Sequence, residues 1–378
     1  MVLNDTQKMV RDTARAFARD QVLPFTREWE RAGAFEPGML AAMGELGFLG
    51  MTVPEALGGA GLDYVSYALA LMEIAAADGG LSTLMSVQNA PVCAILHGEA
   101  SAAQQARFLP TLASGAMIGA FALTEPHAGS DASSLRTTAR RVDGGYVLNG
   151  TKQFITSGAI AGLIITFAVT DPAAGKRGIS AFLVPASSTG LRVGSVEKKL
   201  GQRASDTAQL VYEDVFVPED LLLGSEGAGY RIALANLEAG RIGIAAQCVG
   251  MARAALDCAV AYARERQAFG KPLTGHQAVL FRLADMATEV EAGQQLVLAA
   301  AAARDAGEPC LQLACSAKLF ASEMAERVAS QALQVFGGYG YVEDYLVEKI
   351  YRDVRVCQIY EGTSDVQRML IGRQLLEG

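Results

Sequence analysis

The residue with the clearest potential for acid–base chemistry is Glu361, in the segment IYEGTSDVQR at residues 359–368. It follows two large apolar residues and precedes Gly362, and Ser364 with Gln367 three residues later has the capping-box pattern of a helix start. Apolar neighbours raise the pKa of a carboxyl group towards that of a general base, whereas a helix N-terminus lowers it. The residues alone therefore leave two interpretations open, a proton-abstracting base and a glutamate on a surface loop.

A second segment, FALTEPHAGSD at residues 121–131, places an apolar run ahead of a loop dense in hydroxyl and small residues. Such a loop can direct backbone N–H and hydroxyl donors at the polar edge of a bound ligand. An ordinary β turn, interrupted by Pro126 and Gly129, is the alternative interpretation of the same residues.

Charge and composition exclude several functional classes. The formal net charge of -8 and the lack of a basic run argue against nucleic-acid binding. The longest apolar stretch, near residues 296–303, is far shorter than the roughly 20 residues of a membrane span. The N-terminus has no basic region followed by an apolar run, so we expect a soluble, cytoplasmic protein.

The histidines and cysteines predict no metal site. The three histidines lie far apart and no HExxH motif is present. The six cysteines form no CxxC pair, so we expect reduced, buried thiols.

Hydrophobic periodicity divides the chain into three regions. Helical spacing at residues 6–22, 64–77 and 102–113 predicts a helical N-terminal domain over 1–116. Short β-rich runs with turn signals, including a predicted turn at Asn149-Gly150, predict an antiparallel β sandwich or barrel over 117–227. Helical spacing returns over 228–378, in segments that predict a C-terminal four-helix bundle. The fold class is thus mostly α with a central β domain, and the absence of GxGxxG and GxxxxGK[ST] motifs argues against a Rossmann or P-loop enzyme.

Four blocks along the chain resemble the acyl-CoA dehydrogenase family. They are FALTEPHAGSD, LEAGRIGIAAQCVG at 237–250, ERQAFGKPLTGHQ at 265–277, and the long stretch at 331–368 that ends in IYEGTSDVQR. The resemblance implies a helical domain, a β domain and a helix bundle with FAD between them. It also implies a homotetramer that passes electrons to an electron-transfer flavoprotein.

The resemblance further implies which residues hold the cofactor. Those expected at the flavin ring are Phe121, Leu123, Thr124, Gly129, Ser130, Phe154, Ile155 and Thr156. Those expected at the ADP half, across a subunit boundary, are Arg266, Phe269, Gln277, Gln334, Val335, Gly337 and Gly338. Thr363, Ser364 and Asp365 are expected to complete the cofactor site. Phe154 departs from the tryptophan that is common in the family.

For the substrate, the resemblance implies contacts from Ser130, Glu238, Arg241 and the Gly362 backbone. The alternatives are that Glu238 is a solvated surface residue and that Arg241 pairs with a helical neighbour. Some branches of the family carry the base at the position of Gly240, and glycine cannot act as a base.

The activity implied is therefore α,β-dehydrogenation of an acyl-CoA thioester to the trans-2-enoyl-CoA. Glu361 would take the α-proton, and hydride would pass from Cβ to flavin N5. The motifs are most similar to the short-chain and short branched-chain branches, although short, medium and branched acyl chains stay open. An acyl-CoA oxidase and a catalytically silent helical binding protein are the competing interpretations.

Overall fold

A computed structural model describes residues 1–377 as helices on either side of a central β region. The helices are α1 Asp5–Phe17, α2 Thr26–Ala32, α3 Pro37–Glu45, α4 Tyr64–Ala77, α5 Gly79–Val87, α6 Ala94–Glu99, α7 Ala102–Ala113, α8 Gly229–Glu265, α9 Gln277–Asp305, α10 Leu311–Phe336, α11 Leu346–Val354 and α12 Ser364–Glu377. The strands are β1 Gly119–Ala122, β2 Thr138–Val142, β3 Gly145–Thr156, β4 Leu163–Val169, β5 Ile179–Pro185, β6 Leu191–Val196, β7 Thr207–Pro218, β8 Leu222–Leu223, β9 Gln267–Ala268 and β10 Lys271–Pro272. The predicted fold class is confirmed.

Helix α4 packs against α1 and α5 of the N-terminal region and against α8 and α9, and it is buried along almost its whole length. Asp63 caps its first turn by accepting a hydrogen bond from the Ser66 N–H. The predicted first helix is divided: α1 ends at Phe17 and a π-helical turn, Ala18–Val22, continues it.

The central sheet has eight strands in the order β6-β7-β3-β2-β4-β5-β8, with β1 paired to β4. Most neighbours are antiparallel, as predicted, but β1 and β2 both run parallel to β4. Parallel neighbours need a long connection, and here the chain between β1 and β4 contains the whole β2–β3 hairpin. The sheet is therefore mixed rather than purely antiparallel.

The turn predicted at Asn149-Gly150 is wrong, because β3 continues through both residues. The register against β7 shifts between Leu148 and Gly150. The Asn149 amide exchanges hydrogen bonds of 2.9 Å with Asp214. A Cβ at Gly150 would lie 2.5 Å from Thr137 Oγ1. The Asn-Gly pair thus lies in a β-bulge where two backbone segments approach closely. The same two residue types are also typical of a turn, so the sequence does not distinguish the two structures.

The C-terminal region contains three long helices, α8, α9 and α10, followed by the shorter α11 and α12. Cys315 and Lys318 in the first half of α10 lie near Arg241 in α8, and the rings of Tyr262 and Phe336 stack at 4.1 Å near the ends of the two helices. α8 and α10 therefore run parallel. α4 also packs along α8, so the fourth long neighbour in this bundle comes from the N-terminal region.

The buried apolar side chains form two cores that cross the boundaries between these regions. One core joins α1 to α5 with α8 to α11. The other joins α6 and α7 with the β sheet. The N-terminal helices are thus shared between two cores and have none of their own.

Within residues 1–377, α8 is the one helix long and apolar enough to meet the length and composition criteria for a membrane span. Its most apolar window has a mean hydropathy of 1.4, and 61% of that window is buried inside the protein. The core helix of a folded protein meets the same criteria. In the same described residues, no three His, Cys, Asp or Glu side chains are grouped to hold a metal ion.

Candidate active site

Glu361 lies in the loop between α11 and α12, with a left-handed backbone (φ 51°). The residue as a whole is half-buried, but its Oε2 is closed off from solvent and has no hydrogen-bond partner. This oxygen faces Gly240 of α8, where a Cβ would lie only 2.1 Å away. The carboxylate therefore occupies space that exists because residue 240 has no side chain.

The environment of Glu361 settles the direction of its pKa. Burial raises the pKa of Glu361 to about 7, and the positive charges of Lys318 and Arg241 oppose this rise. A carboxyl group with a pKa near neutrality that has an unpartnered oxygen is suited to act as a general base.

The start of α12 differs from the predicted capping box. Thr363 Oγ1 accepts from the Val366 N–H at 3.3 Å, so Thr363 is the capping residue. Gln367 Nε2 instead donates to the Gly362 carbonyl at 2.9 Å. Ser364 is the first residue of the helix, and its buried Oγ has no partner. That hydroxyl is therefore available to a ligand at the helix N-terminus, while Asp365 beside it is exposed.

Lys318 of α10 is a member of this site that the sequence analysis missed. Its side chain is fully buried, and its Nζ donates to the Gly362 carbonyl at 2.6 Å. Ala314, Ala321 and Ala325 on the same face of α10 are all fully buried. A lysine inside this apolar helical repeat was the signal that could have found it.

The two predicted substrate contacts on α8 have different surroundings. Arg241 is 5% exposed and its Nε has no hydrogen-bond partner. Glu238, one turn earlier, accepts a hydrogen bond from the Cys310 thiol at 3.0 Å and lies 3.5 Å from Arg304 Nη1. Arg241 is thus the group with unused hydrogen-bonding capacity, whereas Glu238 already has partners.

Two hydroxyl groups lie against α8 at Gly243, C-terminal to the position that Glu361 faces. A Cβ at Gly243 would lie 2.6 Å from Ser86 Oγ and 2.7 Å from the Tyr67 hydroxyl. Gly240 and Gly243 are one turn apart on the same face of the helix. The Tyr67 and Ser86 hydroxyls therefore lie about 5 Å beyond the Glu361 carboxylate along α8.

The two segments predicted at the flavin ring are joined by a buried ion pair. Lys152 of β3 donates to Glu125 Oε1 at 2.7 Å and to the Leu123 carbonyl at 3.0 Å, and both side chains are at most 1% exposed. The Gln153 N–H donates to the Thr124 carbonyl at 2.9 Å. The loop that follows β1 is therefore fixed to the end of β3.

The side chains of these two segments differ in what they offer to a ligand. Phe154 is 62% exposed and has a left-handed backbone (φ 58°), so its ring projects from the protein surface. Ile155 is 1% exposed, which leaves its backbone as the part that a ligand could contact. Gly129 and Ser130 are exposed, Phe121 and Thr124 are half-buried, and Thr156 is half-buried.

A cavity of about 770 Å³ lies at the far ends of α8 and α10. Arg266, Val335, Gly337 and Gly338, all predicted at the ADP half, line it. A Cβ at Gly337 or Gly338 would meet no atom within 4 Å, so the backbone there is open to a ligand. The predicted residues Phe269, Gln277 and Gln334 are exposed and do not line this cavity.

Within one chain, this cavity and Glu361 lie at opposite ends of the bundle. Gly240 and Arg266 are separated by about 40 Å along α8, at 1.5 Å per residue. The structure therefore brings the predicted residues together in separate groups: one around Glu361, one at the joined β1 and β3 segments, and one around the distant cavity.

The residues present fit FAD in their chemistry. Arg266 offers a forked cation to a pyrophosphate, and the open Gly337-Gly338 backbone permits close approach. The buried Ser364 Oγ lacks a partner within the protein, as expected of a group that bonds a ligand.

Family models match nearly the whole chain. They describe the acyl-CoA dehydrogenase N-terminal domain at residues 4–116, the middle domain at 120–215 and the C-terminal domain at 227–376. An acyl-CoA dehydrogenase of Bacillus subtilis is 47% identical over the full length of both chains. The mitochondrial short-chain specific acyl-CoA dehydrogenase of Mus musculus is 46% identical over 99% of this chain and 91% of its own.

Solved structures are similarly close. Butyryl-CoA dehydrogenase from Megasphaera elsdenii has a TM-score of 0.97 and 41% identity, covering 100% of this chain and 99% of its own. A chain of the electron transferring flavoprotein structure from Acidaminococcus fermentans has a TM-score of 0.99 and 42% identity, with full coverage of both chains. A glutaryl-CoA dehydrogenase from Mycobacterium smegmatis, in complex with FADH2, has a TM-score of 0.94 and 32% identity over 100% of this chain and 96% of its own.

Proposed function

This chain belongs to the acyl-CoA dehydrogenase family of FAD-dependent oxidoreductases, and from that premise we propose that it oxidises short acyl-CoA thioesters with Glu361 as the base. The observation that carries the proposal is the Glu361 carboxyl group, whose pKa is raised to about 7 and whose buried Oε2 has no partner. A base of this strength is ionised in a useful fraction near neutral pH and keeps affinity for the α-proton.

Bound FAD would supply the acceptor for the hydride that leaves the substrate Cβ. The chain's part is to hold the acyl group so that its Cα faces Glu361 while its Cβ faces the flavin. We expect the joined β1 and β3 segments to hold the flavin ring and Ser364 to bond the cofactor through its free hydroxyl.

The thioester carbonyl oxygen gains negative charge as Glu361 takes the proton. We expect the Glu361 N–H to donate to that oxygen, which stabilises the charge where it develops. Arg241 supplies a positive charge nearby and has an unpartnered Nε, so we assign it to binding the substrate.

A short acyl chain is supported by what lies beyond the base. The Tyr67 and Ser86 hydroxyls stand about one helical turn, roughly 5 Å, past the Glu361 carboxylate. An alkyl chain that extended into this region would have to displace buried polar groups that bond each other at 3.3 Å. The short-chain specific and butyryl-CoA relatives favour the same substrate range.

We also propose that the complete cofactor site needs a second copy of this chain. A single dinucleotide is too short to reach from Glu361 to the cavity at Arg266, about 40 Å along α8. Phe269, three residues after Arg266, is 97% exposed, which suits a surface covered by another copy. The homotetramer predicted from the sequence is one such assembly, and light scattering of the purified protein tests it.

The proposed acceptor of the electrons is an electron-transfer flavoprotein. Its support is the similarity to the chain from the Acidaminococcus fermentans structure. Reduction of a purified electron-transfer flavoprotein by butyryl-CoA in the presence of this enzyme tests the proposal, and fast hydrogen peroxide formation in air would instead show an oxidase.

The central experiment is anaerobic bleaching of the flavin absorbance by a panel of straight and branched acyl-CoAs. We expect fast bleaching by butyryl-CoA and slower bleaching as the chain exceeds six carbons. Glu361→Gln should keep its FAD and lose a factor of about 100 to 10,000 in the bleaching rate. Near wild-type bleaching by that variant would show that Glu361 is not the base, and a colourless purified protein would favour a silent binding protein.

A further inference from the structure

We propose that Lys318 is a positioning residue for the base: its buried ammonium group holds the Gly362 carbonyl, and its charge stabilises the Glu361 carboxylate. This inference rests on the proposed function, because it assumes that Glu361 acts as a carboxylate.

The geometry sets Lys318 apart from the other buried lysines. Lys152 and Lys349 each lie within 4.0 Å of a carboxylate, at 2.7 Å from Glu125 and 2.6 Å from Asp353. Across residues 1–377, no ion pair within that distance involves Lys318, whose Nζ donates to the Gly362 carbonyl at 2.6 Å. A fully buried ammonium group thus contacts the loop of the base without an adjacent counter-charge.

Burial of such a group is unfavourable, so its presence calls for an explanation. Burial lowers the pKa of Lys318, and Cys248, Cys357 and Glu361 act against this, in that order of size. Glu361 is the one carboxylate among these three groups. A methionine would fill a similar volume in α10 without the desolvation penalty. Packing alone therefore does not account for a lysine at this position.

Glu361 and Lys318 each influence the pKa of the other. Two positive charges oppose the rise in the pKa of Glu361, and that of Lys318 has a larger influence than that of Arg241. Both favour the carboxylate over the carboxylic acid. Removing the Lys318 charge should therefore raise the pKa of Glu361 further and require a higher pH for the active, ionised form.

We next consider whether the other titratable groups near Lys318 and Glu361 carry a charge between pH 6 and 8. Tyr67 from α4 and Cys248 from α8 have pKa values raised by burial, so both are neutral between pH 6 and 8. Burial likewise raises the pKa of Tyr360, which is next to Glu361. Cys357 is the exception, because its neighbour Cys248 lowers its pKa. A control variant must therefore distinguish the titration of Cys357 from that of Glu361 in the pH profile.

The test is the pH dependence of kcat/KM for butyryl-CoA between pH 5.5 and 9, for the wild type, Lys318→Met, and Cys357→Ser as the matched control. In Lys318→Met we expect the acidic limb to move to higher pH by about one pH unit. The rate at pH 6.5 should fall about 10-fold and recover above pH 8.5. Cys357→Ser should leave the limb in place.

A merely structural role would lower kcat/KM equally at every pH, and that result, or an unmoved limb, would overturn the proposal. Lys318→Gln keeps a donor for the Gly362 carbonyl without the charge, so it serves if the methionine variant does not fold. It should shift the limb as Lys318→Met does; an unshifted limb in Lys318→Gln would also refute the role of the charge.

A second readout does not depend on turnover. An infrared pH titration can follow the protonated carboxyl band of Glu361, assigned by its loss in Glu361→Gln, in the wild type and in Lys318→Met. We expect a higher midpoint in the variant, and an equal midpoint would overturn the inference about Lys318. If the wild type fails to react with any acyl-CoA, the proposed function fails while this titration still decides the role of Lys318.

Discussion

Replacing Glu361 with glutamine is expected to stabilise the folded protein at neutral and alkaline pH. The pKa of Glu361 rises from its usual 4.5 to about 7 on folding, because burial disfavours the charged form. The folded protein therefore binds this proton more tightly than the unfolded chain does. The resulting penalty is absent below pH 4.5, grows as the pH rises, and is complete above pH 7.

The size of the effect follows from the two pKa values. At about 1.4 kcal/mol for each tenfold change in acid strength, ionised Glu361 lowers the free energy of unfolding by about 3 kcal/mol at pH 8. At pH 5 ionisation of Glu361 lowers the free energy of unfolding by less than about 1 kcal/mol. Glutamine has nearly the same shape and does not ionise, so the variant should lose this pH dependence.

Urea unfolding at pH 5 and pH 8, at one FAD concentration, measures the difference. The single tryptophan, Trp29, is 3% exposed and reports the loss of the core by fluorescence. Glu343→Gln, on an exposed loop, is the matched control and should change neither value. If Glu361→Gln shows the same stability difference from the wild type at both pH values, then ionised Glu361 is not under the burial penalty described here.

Three further predictions test other parts of the site. Gly240→Ala should keep its FAD and lose roughly 100-fold in kcat, because the new Cβ would displace Glu361 Oε2 from a position 2.1 Å away; an unchanged kcat in stopped-flow assays would show that the carboxylate adapts without loss. Lys152→Met should lower the free energy of unfolding by about 3 to 5 kcal/mol, because it leaves Glu125 buried and unpaired; adding Glu125→Gln should recover part of this in urea titrations, and a stable single variant would contradict the argument. Arg266→Gln should weaken FAD binding about 10-fold or more, as measured by flavin fluorescence during dialysis, and full retention of FAD would remove Arg266 from the cofactor site.

The sequence predicted the elements best where local signals and burial agree. The bounds predicted for α4 and α7 match the structure, because Asp63 and Ser101 cap their first turns through side-chain hydrogen bonds. The Asn149-Gly150 turn failed because the same residue types serve a strand bulge, and only the close approach of Thr137 distinguishes the two uses. Whether β1 pairs parallel or antiparallel depends on distant strands, so local composition could not decide it.

For the site, the sequence could place Glu361 in a loop before a helix but could not weigh burial against the helix N-terminus. Burial prevails, since it is the largest influence on the pKa of Glu361. The sequence shows Lys318 as a lysine within the apolar repeat of α10 but does not show its partner, because that partner is a backbone carbonyl of another segment. The assignment of Ser364 as the cap failed for a similar reason, because Thr363 one residue earlier has the same capping chemistry.

The two shared cores have a consequence for how the chain folds as it is synthesised. α4 is mostly apolar and buried along almost its whole length, and much of its surface is covered by α8, which begins at Gly229. At about 5 to 20 residues per second, roughly 10 to 40 seconds pass between completion of α4 and completion of α8 on the ribosome. Throughout that interval the first helices lack the partner that buries them. We therefore expect the nascent chain to be prone to aggregation until α8 has emerged.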